Sequence, residues 1–487
     1  MNLSRRSGLR LEVGAFVLLL VALAGSQFAA AQEMPITTKS KDALMLFLDG
    51  RAKDENYHVE EAHKIFAQAA AKDPDFALAH LWVALTAADP KVLREELKKA
   101  VSLAPNASKG EQLLIAAWEA ANLENDPVKA NDLLRQLVAL FPNDKRAHLY
   151  LANNYNVREQ TDKAIAEFDK AIALDKDFAR AHYQLAYVYY PKGDFDKAEE
   201  HFKVYLRLAP QEPNPHDCLA DLYMKMGRFD EAISEYQQAV KLDPHFSASQ
   251  LKTGSTYVLM GRYEEGRQAF EKSITMETEP AYKIGDQEAI ARSYIYAGEY
   301  SNALEPQDKA IRMAQELRIP ETEAWEHFIK AMIYSEMKDS EKAAQSLADS
   351  RTCINDSSLS ATDKELNMVN ACFFEALVAA EQKDIAKAKA KLSELKAGLS
   401  KVKDPLFPRY AEWMDGYIAL AQGDFAGADA QFSKVVIDDP YFIYYAAVAK
   451  EKAGDTAGAK KLYAKVANWN IENVWYSFVR NKAKAKV

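Results

Sequence analysis

Apolar residues fall on two helical stripes within each stretch of about 34 residues, parted by a break that returns at a fixed place. Between Ala179 and Glu212, Leu185, Ala186 and Tyr189 recur at the spacing of one helix face. Lys192 and Gly193 then interrupt the pattern, and Phe195, Ala198, Phe202 and Tyr205 resume it. This predicts a helix, a tight turn and an antiparallel helix. The same layout recurs in register: Ala164, Ala198 and Ala232 share one column, Phe168, Phe202 and Tyr236 another, and Tyr155, Tyr189, Tyr223 and Tyr257 a third. Pro74, Pro142, Pro210 and Pro244 are separated by multiples of 34 residues. Proline opposes continuation of a helix, so each marks the end of a unit. A fixed period of this length means stacked supersecondary units, none of which can bury its apolar face alone. Small residues such as Ala186 and Ala198 let two helix axes approach, and Tyr189 and Phe202 fill the grooves beside them.

At these positions the chain resembles the tetratricopeptide repeat. The row holding Leu219, Ala220, Tyr223, Gly227, Phe229, Ala232, Tyr236, Ala239 and Pro244 carries nearly the whole pattern of that family. The next row keeps Gly254, Tyr257, Gly261, Tyr263 and Phe270, but has Gly266 where alanine is usual and lacks the closing proline. Weaker rows occur near the start (Gly50, Ala62, Phe66, Ala69, Pro74) and near the end (Gly416, Gly423, Phe425, Ala428, Phe432, Pro440). The resemblance implies an all-α, right-handed superhelical α-solenoid of about twelve helix pairs. A regular array is expected over residues 38–280, with longer and less regular repeats over 281–487 and a C-terminal capping helix. Two connections are expected, one over the polar, serine-rich stretch from Arg351 to Thr362 and one from Gly398 to Pro408. Such an array escapes the size limit on a globular core, because each unit touches only its neighbours.

The resemblance also implies a concave groove that binds extended peptides or partner helices, lined by the first helix of each unit. On the regular rows the family's groove places fall on Arg146, Asn153 and Asn156, on Arg180, Tyr183, Tyr187 and Tyr190, and on Asn214, Asp217, Asp221, Met224 and Lys225. Tyr183, Tyr187 and Tyr190 form a stripe at i, i+4 and i+7, and tyrosine offers apolar area with a polar tip. The family's carboxylate clamp is not reproduced: Asn153 matches, but Leu149 stands in place of the lysine and Cys218 in place of the arginine.

The first residues read differently. Arg5, Arg6 and Arg10 precede an apolar run from Val13 to Ala24, and Ala29, Ala30 and Ala31 follow, which is the layout of a secretory signal peptide cleaved near Ala31. The alternatives are an uncleaved anchor and a twin-arginine export signal. The apolar run is short of the roughly 20 residues that span a bilayer as helix, and no other membrane span is expected. The implied location is the periplasm or the exterior of a bacterial cell. Cleavage would remove Arg5, Arg6, Arg10 and Glu12, leaving 59 basic and 70 acidic side chains. An acidic chain argues against nucleic acid, which needs a clustered basic surface. The only basic cluster, Arg480, Lys482, Lys484 and Lys486, is read as a charge complement to the C-terminus of a final helix.

Catalytic chemistry is nearly absent. His58 and His63 are five residues apart, off the single face that paired zinc ligands need. His80, His148, His182 and His216 share one column, which reads as packing rather than a metal ladder, since neighbouring helices stand about 8–10 Å apart. Asp175 and Asp177 lack the glycine and glutamate of a calcium loop. No phosphate-cradling glycine loop, Cys-x-x-Cys motif or nucleophile elbow appears, and neither cofactor nor metal is expected. Cys218 reads as a buried small hydrophobe, whereas Cys353 and Cys372 could pair in an oxidising compartment. The expected function is that of a non-enzymatic, exported scaffold docking a protein or peptide in its groove; the alternative is an accessory module for envelope polysaccharide, with tyrosines stacking on sugar rings.

Overall fold

The computed structural model describes residues 33–56, 58–399, 407–435 and 437–487. The expected signal peptide lies outside them. Among the described residues there are 25 α-helices, one short 3-10 helix (Ala104–Asn106) and no strand. They run as antiparallel pairs: α1 (Lys41–Glu55) with α2 (Val59–Lys72), α3 (Ala77–Thr86) with α4 (Pro90–Leu103), α5 (Lys109–Asn122) with α6 (Pro127–Leu140), and α7 (Lys145–Val157) with α8 (Thr161–Leu174). Next come α9 (Ala179–Lys192) with α10 (Phe195–Leu208), α11 (Pro213–Lys225) with α12 (Phe229–Leu242), α13 (Ser247–Met260) with α14 (Tyr263–Met276), and α15 (Tyr282–Ala297) with α16 (Tyr300–Leu317). The last pairs are α17 (Pro320–Glu336) with α18 (Ser340–Asp356), α19 (Ala361–Glu381) with α20 (Ile385–Leu399), α21 (Phe407–Gln422) with α22 (Phe425–Phe432), and α23 (Pro440–Ala453) with α24 (Thr456–Ala467). One helix, α25 (Val474–Lys484), remains without a partner of its own. The chain is thus an α-solenoid of twelve helix pairs and a terminal helix.

The columns seen in the sequence are the packing contacts. Ala164, Ala198, Ala232, Phe168, Phe202 and Tyr236 are all fully buried. Gly193, Gly227, Gly261 and Gly298 end first helices with φ of 76–81°, the left-handed cap that lets the chain turn into the second helix. Gly254 and Gly266 answer a different need, since α13 and α14 cross so closely that a Cβ on Gly254 would lie 2.4 Å from the Phe270 ring and 3.0 Å from the Gly266 carbonyl oxygen. The missing alanine at 266 is therefore part of a tighter crossing.

The chain divides into two compact units, one through Cys218 and one from Leu219. The division falls within α11, while the repeat register slips later, near Pro280, where α15 to α19 lengthen to between 16 and 21 residues. In the second unit one continuous core runs from Val258 to Ala483.

One expectation is corrected. The stretch from Arg351 to Asp356 is the last part of α18, not a connection; only residues 357–360 link the pairs, and Ser360 caps α19 by accepting the N–H of Asp363. Polar residues are tolerated in α18 because they bond within it, Ser346 to the Lys342 carbonyl at 3.0 Å and Thr352 to that of Ala348 at 3.0 Å. The final helix packs on both helices of the last pair, α23 and α24, and on α15; it buries Val474, Tyr476, Ser477, Phe478, Val479, Arg480 and Ala483 and leaves Asn481 and Lys484 exposed.

Candidate partner-binding surfaces

In the first unit the first helices of the pairs turn toward one another, and the chain's own charges bridge the space between them. The Arg146 guanidinium, at the start of α7, donates to Glu55 at the end of α1 at 2.6 Å and to Glu33 at 3.4 Å. Burial opposes its charge, but Glu55 outweighs that, and the net effect holds the group above the usual arginine range. Arg180, at the start of α9, donates to the Asp54 carboxylate and to its carbonyl oxygen. His58 lies 3.1 Å from Glu212. Two of the predicted groove cations are therefore spent on internal ion pairs that tie the first pair to the fourth and fifth.

Residues 33–39 add to this closure as an extended segment laid over the ends of several units. The Met34 N–H donates to Asp144 at 2.8 Å, that of Thr37 to Glu111 at 2.8 Å, and that of Lys39 to Asp73 at 3.1 Å. Behind them Trp82 stands edge-on to Phe47 at 5.6 Å and to Tyr150 at 6.2 Å. The space left among Met34, Phe47, Trp82 and Tyr150 is about 20 Å³, room for a single water.

The tyrosine stripe lies farther along α9. Tyr183 and Tyr187 meet edge-to-face at 4.8 Å, and Tyr187 and Tyr190 stand 6.3 Å apart. All three are half-buried. Their inner edges rest on α10, Tyr183 against Tyr205 at 5.4 Å and Tyr187 against Phe202 at 5.1 Å. Burial, with Cys218 next, pushes the Tyr183 phenol up to about 12, so it stays a neutral hydrogen-bonding group. Asn153 is half-buried on α7 and Asn156 exposed, whereas Asp217 is buried in α11.

In the second unit Asp221 accepts from the Tyr236 hydroxyl at 2.6 Å and from Lys252 at 2.8 Å. The Lys225 ammonium sits 5.0 Å over the Trp469 ring, and its carbonyl accepts from Asn470 at 3.3 Å. Burial holds that amine below the usual lysine range. Trp469 and Asn470 belong to the segment that leads into α25, and this is where sequence reasoning missed most. The terminal helix lies against the first helices of the unit's pairs, the side on which a partner was expected.

Every turn of α25 is gripped. Arg480 donates to the Leu259 carbonyl at the end of α13. Asn481 donates to the Tyr296 carbonyl of α15, and Lys482 to Glu336 of α17 at 2.6 Å. Tyr476 meets Tyr296 edge-on at 5.8 Å, and Trp475 stacks on Phe374 of α19 at 5.1 Å and meets Trp325 of α17 edge-on at 5.5 Å. Just before the helix, Glu472 accepts from Arg292 at 2.7 Å. Burial opposes the Arg292 charge, but Glu472 and Glu288 outweigh it and raise the group. Arg480 and Lys482 thus bond to α13 and α17 rather than complementing a helix dipole, and Lys486 reaches Glu451 at 2.7 Å.

The remaining candidates resolve into structural roles. His80 Nδ1 lies 2.6 Å from Glu96 and His148 Nδ1 2.6 Å from Glu167, while each Nε2 meets the carbonyl oxygen six residues upstream. This histidine column staples the two helices of a pair to the preceding turn. Cys353 and Cys372 are not joined by a disulfide: the Cys353 thiol donates to the Ser350 carbonyl at 3.1 Å, and burial pushes it up to about 12. Cys372, Glu375 and Glu394 converge within 4.8 Å. The Arg351 guanidinium lies 3.2 Å from the Cys372 sulfur and Lys391 lies 3.2 Å from Glu375, so protein cations supply the positive charge there. Among the described residues no helix is long and apolar enough to cross a membrane.

Family models described as "TPR repeat" and "Tetratricopeptide repeat" match the chain over residues 152–193, and over 179–212, 213–246 and 249–279, respectively. No curated protein matches it. Among solved structures, a tetratricopeptide repeat protein from Parabacteroides merdae is 15% identical over 53% of this chain and 96% of its own, with a TM-score of 0.40. MamA is 21% identical over 34% of this chain and 96% of its own (TM-score 0.31). YrrB, described as having an unusual peptide-binding site, is 23% identical over 37% and 91% (TM-score 0.31).

Proposed function

Because residues 152–279 are tetratricopeptide repeats and the helices on either side continue the same paired stacking, we propose that the protein is a non-enzymatic scaffold that docks a segment of a partner protein on the tyrosine face of α9. The observation that carries this is the stripe of Tyr183, Tyr187 and Tyr190, half-exposed and held by Tyr205 and Phe202 from behind. Tyrosines already fixed by packing lose little rotamer freedom when a partner covers them, and they supply both apolar contact and hydroxyl groups. Asn153 and Asn156, on the first helix of the preceding pair, add amides. The second unit is a poorer docking site, since α25 already lies along its first helices. The arginine-led, apolar, small-residue start of the chain supports export, which would place the scaffold in a bacterial envelope or outside the cell.

The test is retention of a partner from an envelope extract on the immobilised chain, repeated with Tyr187→Ala and Tyr190→Ala variants whose circular dichroism matches the parent. Loss of one defined protein from both variants is expected. Equal retention by the folded variants defeats the reading, and saturable binding of envelope polysaccharide abolished by the same substitutions replaces it with the sugar-handling alternative.

A further inference from the structure

Beside the seated terminal helix, the second unit contains a cavity of about 340 Å³, within the lower range of small-molecule sites. Its lining is aromatic and aliphatic, and the aromatic part comes from five helices, with Trp325 on α17, Phe373 on α19, Tyr410 on α21, Phe442 on α23 and Trp475 on α25. Phe373, Tyr410 and Phe442 stand 5.4–6.4 Å apart as one wall, and the edge-to-face Trp325–Trp475 pair forms another. Among the described lining residues the polar groups are the Asn370 and Asp439 side chains, the Tyr410 and Tyr441 hydroxyls and the Trp325 and Trp475 indole N–H groups, and none is a lysine or arginine. Asp439 caps α23, accepting from the Tyr441 N–H at 2.8 Å and from Asn473 at 3.4 Å.

We propose that this cavity binds a methylated ammonium group, the positive charge facing the aromatic walls and the Asp439 carboxylate. The choice follows from what the lining can and cannot satisfy. A sugar ring brings several hydroxyls, each needing a partner on burial, and the described lining meets a ring mainly with aromatic and aliphatic carbon, its carboxylate already used as a cap. A primary ammonium must keep three N–H groups paired on burial, and the aromatic faces that make up most of the described lining offer them no ordinary acceptor. A neutral apolar ring would fill the space but leave the carboxylate without a counter-charge. A quaternary ammonium carries its charge on methyl groups that need no hydrogen bonds, and aromatic faces attract it. Burial holds Asp439 above the usual carboxylate range, against the pull of the Tyr441 N–H, so a cation in the cavity would stabilise its ionised form. Because Trp475 is one wall, the cavity exists only while α25 is in place.

The test titrates the full chain with choline, with its neutral isostere 3,3-dimethylbutanol and with glucose, following tryptophan emission and heat. Saturable choline binding is expected, with the isostere about tenfold weaker or more and glucose not binding. Asp439→Asn keeps a good helix cap while removing the charge, and should weaken choline about tenfold without altering the isostere. Trp325→Leu should weaken choline severalfold and leave the circular dichroism spectrum unchanged. Equal affinities for choline and its isostere, an unchanged choline affinity in Asp439→Asn, saturable glucose binding, or no saturable signal with choline would each overturn the proposal. None of these outcomes depends on the α9 surface.

Discussion

Replacing Arg480 separates the two accounts of the basic tail. In the structure Arg480 is 4% exposed; it donates to the Leu259 carbonyl and lies 5.9 Å from the ring centres of both Tyr296 and Tyr476. Arg480→Ala removes a hydrogen bond made by a charged donor, about 1.5–3 kcal/mol. It also removes the packing of the two buried stem methylenes beyond Cβ, about 0.8 kcal/mol each at most. Relief from burying a charge offsets part of this, and a net loss of about 2–4 kcal/mol is expected. Lys486→Ala is the control. Its partner Glu451 and the lysine itself are both substantially exposed, and such surface pairs contribute at most about 1 kcal/mol. Equilibrium urea unfolding monitored by tryptophan emission reads both, because Trp475 leaves its stack on Phe374 when α25 is released; a lower midpoint at constant slope reports stability. If the basic residues merely complemented a solvated helix end, each substitution would cost about 0.3–1 kcal/mol. Equal midpoint shifts for the two variants would refute the buried placement of Arg480.

Three further expectations follow from the packing and the charges. Gly254→Ala should destabilise the α13–α14 crossing by about 1–3 kcal/mol, because the new methyl meets both the Phe270 ring and the Gly266 backbone; an unchanged denaturation midpoint would contradict the close approach. Ala198→Leu, at a fully buried position, should cost about 1–3 kcal/mol by the same measurement. His182 and His201 place Nδ1 atoms 2.9 Å apart, His201 being held down to about 4 by burial and then by His182, and His182 being lowered chiefly by burial. The folded state thus favours neutral rings, so stability is full above the ordinary histidine value of 6.5 and drains away as pH falls from there toward about 4. The groups around the pair include the stacked Tyr189 ring, Lys197, Glu200, Arg207 and Asp177. His201→Glu should place a carboxylate where Glu167 stands beside His148 and flatten this loss, read from melting temperatures across pH 4–7; an unaltered pH profile would show that the pair is not its source.

The repeat architecture was legible because it is local: turn glycines, small residues at crossings and large ones beside them recur at fixed offsets, and each offset is a contact within a pair or between neighbours. The fate of Arg146 and Arg180 was not legible, since reaching Glu55 and Asp54 depends on the accumulated rotation of several pairs, which no single row encodes. Helix α18 was cut short in the sequence reading because serine, threonine and asparagine are weak helix formers; the structure satisfies Ser346 and Thr352 on carbonyls of their own helix. The burial of the tail was not legible either: Ser477, Arg480, Asn481 and Lys484 stand at i, i+3, i+4 and i+7, one polar stripe that reads as a solvated face, yet Ser477 and Arg480 are buried. The aromatic cavity had no sequence signature, because its walls come from five helices far apart in the chain.

Hydrogen exchange of the backbone amides from Tyr476 to Ala483 tests the central claim most directly, namely that the solenoid's second unit holds its own C-terminal helix along its first helices. These amides should exchange as slowly as those in the middle of α15, although they lie at the very end of the chain, where fraying is the ordinary behaviour. Exchange as fast as that of an unprotected terminus would contradict the account and leave the first helices of the second unit uncovered.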